Sequence, residues 1–154
     1  MNMKITKRSI RYFTLFKLPL VYFSGIRITN INSKGVEASV KLKWINQNPF
    51  RSMFWAVQGM AAELTSGVLL MREIEKQESS VSMLLIETKA SFSKKAKGKI
   101  RFSCDEVKEA KDLVSKAISS GEGHRHWFTS IGIDHNGDEV SRFQFNWTVK
   151  TKKL

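Results

Sequence analysis

The sequence is short of cysteine and of acidic side chains, and each shortage excludes a class of protein. Its single cysteine, Cys104, excludes a disulfide framework, so we expect a reducing compartment, the cytoplasm. The lone cysteine and three histidines lack zinc-site spacing, and we expect no metal. The chain also lacks a low-complexity linker and an internal repeat. Its 154 residues therefore predict one domain, residues 1–154, with a core of its own.

Acidic residues are outnumbered, with 14 Asp and Glu against 26 Lys and Arg, which gives a net charge of +12. Such a charge favours an anionic partner: nucleic acid, an acidic membrane surface or a phosphate-bearing cofactor. An ordinary soluble surface with a basic balance is the alternative. The basic residues form two groups: Lys4, Lys7, Arg8, Arg11 and Lys17, and then Lys94, Lys95, Lys97, Lys99 and Arg101.

The chain has no apolar run long enough to span a membrane. Residues 12–23 are the most apolar part of the N-terminal segment, but Lys17 and Pro19 interrupt them and no small-residue cleavage site follows. The spacing of Ile5, Ile10, Phe13 and Phe16 or Lys17 predicts an amphipathic helix at about 5–18 that packs on the domain. Peripheral contact of this helix with a membrane surface is the minority alternative.

A long segment, residues 48–71, is apolar on every side, which predicts a helix that is buried all round. Asn48 suits a helix cap and Pro49 a first helical turn, so we predict a central helix at about 49–73. Glu63 lies in the middle of this helix. A buried carboxylate is costly unless it is paired or has a chemical role.

Alternating apolar residues predict strands on both sides of the central helix. Val36, Ala38, Val40, Leu42 and Trp44 are expected on one face of a strand. The inner face of the last strand is expected to carry Phe143, Phe145, Trp147 and Val149. Residues 105–119 have the spacing of a surface helix, with a Ser103 and Glu106 capping box and Gly121 just past its end. Residues 134–137 carry the Asn-Gly signal of a hairpin turn.

Glu63 is the leading catalytic candidate. The surrounding residues Ala56, Gly59, Ala62, Ser66 and Gly67 are small, so a sheet can approach closely and leave a narrow space for a ligand. Burial can raise the pKa of Glu63 and allow it to activate water. A structural glutamate held by backbone amides or by a basic group is the alternative. Gln58 either orients a substrate carbonyl or is a buried structural amide, and Thr65 and Ser66 are expected to bond back to the preceding turn.

Three other patterns are weaker candidates for a metal site or a nucleophile. His124 and His126 have metal-binding spacing but no third ligand, so an exposed pair at a strand start is favoured. The Asp134 to Asp138 segment lacks the glycine and the glutamate of a calcium loop, and the hairpin is favoured. Cys104 is expected to pack in a strand.

The chain resembles the hotdog-fold thioesterase superfamily, in its branch of thioesterase-like proteins of unknown function. The resemblance covers about residues 10–150 and rests on the stretches 44–50, 60–67 and 143–147. It implies an α+β hotdog fold, in which a curved antiparallel sheet wraps around the central helix. In acyl-CoA thioesterases of this fold, a His-Gly-Gly turn precedes a helix carboxylate, and Glu63 matches that acidic position. Phe54 and Trp55 stand where the turn would be.

The resemblance implies binding and hydrolysis of an acyl thioester, with acyl-CoA as substrate, coenzyme A entering only as part of it, and no separate cofactor. Glu63 and Gln58 are then the catalytic candidates, and the expected substrate-binding residues are Gly59, Ala62, Ser66, Gly67 and Asn48. It also implies a homo-oligomer, a dimer or tetramer, with the site at the subunit interface. Two alternatives stay open: an acyl-ligand binder without catalysis, and a basic nucleic-acid or membrane-surface binder, which rests on charge alone.

Overall fold

The computed structural model describes residues 4–152, which form four helices, one 3₁₀ turn and six strands. The helices are α1 (Lys7–Lys17), α2 (Pro19–Phe23), α3 (Trp55–Glu75) and α4 (Val107–Ser120). The strands are β1 (Arg27–Asn32), β2 (Gly35–Lys41), β3 (Val81–Phe92), β4 (Lys99–Cys104), β5 (His124–Ile133) and β6 (Glu139–Thr151).

The six strands form one antiparallel sheet in the order β1-β2-β4-β5-β6-β3. Helix α3 packs against β2, β4, β5 and β6, so the curved sheet wraps around it. Phe102, Phe128 and Phe143 fill the space between them and are almost completely buried. The predicted α+β hotdog fold is confirmed.

The alternation predicted for β2 holds only as far as the strand itself. Val36, Ala38 and Val40 are buried, but Trp44 is 85% exposed, so its predicted place on the inner face is wrong. The chain leaves the sheet after Lys41 and forms the 3₁₀ turn Trp44–Asn46. The buried Asn46 amide holds this turn, since its Nδ2 donates to the carbonyls of Ser24 and Lys41 at 3.0 Å each.

The central helix begins at Trp55, later than the predicted start near residue 49, and it ends at Glu75. Asn48 caps no helix, because its Oδ1 accepts hydrogen bonds from the amides of Phe50 and Ser52, which fold residues 48–52 into a tight turn. The amide of Met53 then donates to the carbonyl of Ala96 at 2.9 Å. These bonds hold residues 48–53 in a turn against the loop that follows β3, so the helix begins only at Trp55.

Helix α4 also begins later than predicted, at Val107. Ser103 stays in β4, so the predicted capping box is wrong, and the Glu106 carboxylate instead accepts hydrogen bonds from the Thr129 amide and His126. Gly121 ends the helix at φ 70°, as expected for a left-handed C-cap. The predicted hairpin turn is present between β5 and β6, with Gly137 at φ 88°.

Gly35 begins β2 at a point where only glycine fits. Its φ is +151°, and a Cβ there would lie 2.3 Å from the Cys104 carbonyl oxygen. Because the obstacle is backbone, we expect Gly35→Ala to lower the free energy of unfolding by roughly 1–3 kcal/mol. Urea unfolding of this variant and of Gly123→Ala, where a Cβ would meet nothing closer than 3.7 Å, tests this. Equal stability of the two variants would contradict it.

Candidate active site

Glu63 lies on the face of α3 that packs against β6. Gly59 and Gly67 stand one turn before and one turn after it, and both allow the helix to approach aromatic side chains. A Cβ at Gly59 would lie 3.3 Å from the Phe143 ring, and one at Gly67 would lie 3.6 Å from the Trp147 ring. The Glu63 carboxylate is directed toward Gly67, since the same Cβ would lie 3.4 Å from its Oε1.

The Glu63 carboxylate is half-buried and has no salt bridge or hydrogen-bond partner among residues 4–152. Burial raises its pKa from 4.5 to about 6. Within residues 4–152, no basic group or backbone amide compensates for the lost hydration of the Glu63 carboxylate. The structural alternative considered for Glu63, a carboxylate held by such groups, therefore finds no partners in this part of the chain. A carboxylate with a pKa near neutrality can accept a proton from water and return it.

Ser66 connects α3 to the indole ring of Trp147, which lies beside Glu63. Trp147 Nε1 donates to Ser66 Oγ at 3.0 Å, and Ser66 Oγ donates to the Glu63 carbonyl oxygen at 3.1 Å. Thr65 Oγ1 likewise donates to the Ala62 carbonyl at 2.7 Å and lies 2.9 Å from Ser130 Oγ. Both hydroxyls thus bond back to the preceding turn, as predicted. Ser66 fixes the indole ring next to the carboxylate, whereas Ala62 is completely buried in the core.

Gln58 is buried near the start of α3, away from Glu63. Five residues separate the two, which places them about 140° apart around the helix axis. Gln58 Nε2 donates to the Met53 carbonyl at 3.2 Å, but its Oε1 is buried without a partner among the described residues. Gln58 and Asn48 line the same open cavity of about 330 Å³, together with Trp55 and Lys95. Within one protomer, the predicted site residues therefore fall into two groups.

The start of α3 has free backbone donors. Phe54 is the N-cap and makes no side-chain cap, and its carbonyl accepts the amides of Val57 and Gln58. Within residues 4–152, the amides of Trp55 and Ala56 have no acceptor. Such amides at the positive end of a helix are suited to hold a carbonyl oxygen that gains negative charge.

The sequence analysis missed Trp147 and Phe143 as neighbours of the Glu63 face. Their alternation in β6 predicted that they point inward, but not which turn of α3 they meet. It named Phe54 and Trp55 only as the residues in place of a His-Gly-Gly turn, and did not predict that they and Phe50 form an exposed aromatic group beside the cavity. Three aromatic residues within six positions were the available signal.

The other candidate residues have separate partners. His124 Nε2 lies 2.8 Å from Ser120 Oγ, and His126 Nε2 lies 3.0 Å from Glu106 Oε2. No three His, Cys, Asp or Glu side chains in residues 4–152 come together as metal ligands would. Cys104 is buried in β4, and burial raises its pKa to about 12, so it is a poor nucleophile.

Comparison with protein families finds one match over residues 6–149, to the family described as a domain of unknown function (DUF4442). A search of the curated proteins finds no match to this chain.

Solved structures resemble the whole chain. A probable thioesterase of unknown function from Pseudomonas aeruginosa has a TM-score of 0.84 and 20% identity, with 99% of this chain and 100% of that chain covered. A thioesterase from Haemophilus influenzae has a TM-score of 0.70 and 11% identity, with 97% and 94% covered. A mutant of a second Pseudomonas aeruginosa thioesterase has a TM-score of 0.73 and 12% identity, with 97% of each chain covered. At these identities the likeness is one of fold.

Proposed function

This chain belongs to the DUF4442 family and has the hotdog fold, and on that basis we propose that it hydrolyses acyl thioesters, with acyl-CoA as the substrate class. The observation that carries the proposal is the unpaired, half-buried Glu63 carboxylate with its raised pKa. The names of the similar structures, one a probable thioesterase and two thioesterases, support the same reaction class. The free, buried Cys104 supports a reducing compartment, the cytoplasm.

In the proposed reaction, Glu63 acts as a general base. It removes a proton from a water molecule as the water oxygen attacks the acyl carbon. The carbon–sulfur bond then breaks, and the thiolate takes the proton back from Glu63. The products are a carboxylic acid and free thiol. Trp147, which Ser66 holds beside the carboxylate, keeps bulk water away and maintains the raised pKa.

The carbonyl oxygen needs hydrogen-bond donors, and the free amides of Trp55 and Ala56 are the proposed donors. These amides are too far from Glu63 of the same chain to hold the carbonyl group whose carbon the activated water attacks. Eight residues of helix separate Trp55 from Glu63, a rise of roughly 12 Å, and the carboxylate points further away, toward Gly67. The proposed site therefore needs the helix start of one protomer and the Glu63 of another.

The edge of the sheet supports such a dimer. β3 is the last strand in the sheet and pairs only with β6 among the described strands. It has 12 residues, and its Leu84, Ile86 and Phe92 side chains are exposed. A long edge strand with apolar side chains is prone to pair with another chain. We propose that β3 pairs with β3 of a second copy, next to the Glu63 face on the other side of β6.

The cavity at the start of α3 is the proposed substrate entrance. Gln58 Oε1, which has no partner within residues 4–152, can accept a hydrogen bond from a pantetheine amide, and Asn48 lines the same cavity. Lys95 is the proposed phosphate contact there, because Lys94 already pairs with Asp134 and Asp138 at 2.8 and 2.6 Å. The acyl group would lie along Gly59 and Gly67, on either side of Glu63.

A screen of short, long and aromatic acyl-CoA esters, with free thiol as the readout, tests the proposal. We expect thiol release above the uncatalysed rate for at least one class of ester. Binding of esters in calorimetry without thiol release would instead favour the non-catalytic ligand binder, which Phe54 and Trp55 in place of a His-Gly-Gly turn make the second candidate. Neither release nor binding would contradict both functions.

A further inference from the structure

Helices α1 and α2 carry an apolar surface that does not pack against the rest of the domain. Ile10 and Thr14 are the buried residues on the inner side of α1. On the exposed surface, Tyr12 and Phe16 lie one turn apart on α1, and Leu20 and Phe23 lie one turn apart on α2. Phe16 is 73% exposed and Leu20 is 69% exposed, so these large side chains stand in water. Grouped exposed apolar side chains of this size mark an interaction surface.

The same segment is strongly basic, because the first acidic residue of the chain is Glu37. Before it come seven basic residues: Lys4, Lys7, Arg8, Arg11, Lys17, Arg27 and Lys34. None of these seven forms a salt bridge within residues 4–152. An acidic side chain does touch the segment, since Glu75 Oε2 accepts the Ile5 amide at 3.0 Å. The positive charge of α1 is otherwise uncompensated.

A cationic cleft lies beside the apolar side chains. It has a volume of about 740 Å³, and its lining includes Lys7, Arg8, Arg11 and Arg27 but no acidic residue. Arg27 is held in place, because its Nη1 donates to the carbonyls of Tyr22 and Ile26 and its guanidinium lies 4.1 Å from the centre of the Tyr22 ring. The volume and charge suit the phosphate of a phospholipid headgroup.

We propose that α1 and α2 dock on the surface of an anionic phospholipid membrane. Phe16, Leu20 and their neighbours enter the interface, the basic residues contact lipid phosphates, and the cleft receives one headgroup. No helix in residues 4–152 is long and apolar enough to cross a bilayer. Nucleic acid would use the charge but leave the apolar side chains in water. A second copy would bring two uncompensated basic surfaces together. This inference does not depend on hydrolysis.

The test is flotation of the full chain with vesicles of phosphatidylcholine alone or mixed with phosphatidylglycerol. We expect the protein to float only with the mixed vesicles. Phe16→Ser with Leu20→Ser, and separately Arg8→Gln with Arg11→Gln, should each lower partitioning by about tenfold or more, since each basic residue near an anionic surface contributes about fivefold. Lys108→Gln with Lys111→Gln, two exposed basic residues of α4, is the matched control and should float like the wild type.

Five results would overturn the proposal. One is equal flotation with both kinds of vesicle, and another is flotation that survives Phe16→Ser with Leu20→Ser. The third is DNA binding that the arginine variant abolishes while no vesicle binding occurs. The fourth is a larger assembly in light scattering that dissociates in the Phe16→Ser, Leu20→Ser variant without vesicle binding, which would identify a second copy as the occupant.

The fifth result comes from competition with glycerol phosphate. It should compete only weakly with vesicles, since it supplies the headgroup without the membrane surface. Full competition would count equally against membrane docking.

Discussion

Replacing Glu63 by glutamine is expected to lower thioester hydrolysis by about 10²-fold or more, the usual scale for the loss of a positioned base. Glutamine keeps the shape of the side chain beside Gly67 and Trp147 but cannot accept a proton from water. In the wild type, the rate should fall as the pH decreases through about 6, where burial sets the pKa of Glu63. The measurement is thiol release across pH for both proteins.

The same substitution is expected to stabilise the fold at neutral pH. The folded pKa of Glu63 lies above its ordinary value of 4.5, so the folded state binds the proton more tightly than the unfolded state. The wild type therefore loses stability as the pH rises from about 4.5 to about 6. Above that range the loss is about 2 kcal/mol, and Glu63→Gln removes it.

A matched control lies on the same helix. Glu73 is also buried but is paired with Arg72 and Lys76 at 3.0 and 2.7 Å, so Glu73→Gln should destabilise the fold and leave the rate of the folded fraction unchanged. Urea unfolding of the three proteins at pH 7.5 and at acidic pH separates these effects. An unchanged rate in folded Glu63→Gln would remove Glu63 from the mechanism. A loss of stability at neutral pH would mean that Glu63 has a structural partner in the assembled protein.

Charged substitutions on the edge strand β3 are expected to abolish the dimer and to lower the rate of hydrolysis. Leu84→Lys with Ile86→Lys places like charges along the strand that is proposed to pair with its copy, and like charges opposite each other oppose strand pairing. Light scattering should give twice 17.6 kDa for the wild type and 17.6 kDa for the variant. The hydrolysis rate should fall by about 10²-fold, since the oxyanion donors of the other protomer are lost.

Trp44→Lys is the control for the edge variant, because Trp44 is exposed and lies outside β3. It should leave both the mass and the rate unchanged. A wild-type monomer that hydrolyses acyl-CoA would contradict the shared site. A monomeric edge variant with full activity would show that Glu63 finds its carbonyl donors within one chain.

Several local predictions held because they depend on short stretches of chain. The pattern in β6 placed Phe143, Phe145 and Trp147 on the inner face, and all three are buried. The Asn-Gly turn and Gly121 took the backbone conformations that glycine favours. Glu63 does lie half-buried on the apolar helix, and burial raises its pKa, whereas its catalytic role stays a prediction.

The failed predictions depend on contacts between distant segments. Asn48 and Pro49 have the local features of a helix start, but the bond from Met53 to Ala96 competes with helix formation there. Ser103 could have capped α4, but it was already committed to pairing with β2 and β5. The start of α3 is decided by a contact with a residue more than forty positions away, and the start of α4 is decided by the register of the sheet. Neither is visible in a local sequence pattern.

By itself, the sequence determined the apolar periodicity, and therefore the central helix and the sheet around it, because burial of apolar side chains is the dominant favourable term in folding. It also determined the basic N-terminal segment. Only the tertiary structure decided that Gln58 shares a cavity with Asn48, and that the Glu63 carboxylate has no partner among the described residues. The physical reason is that periodicity specifies which face of a helix is apolar, whereas the pKa of a buried group depends on every element packed around it.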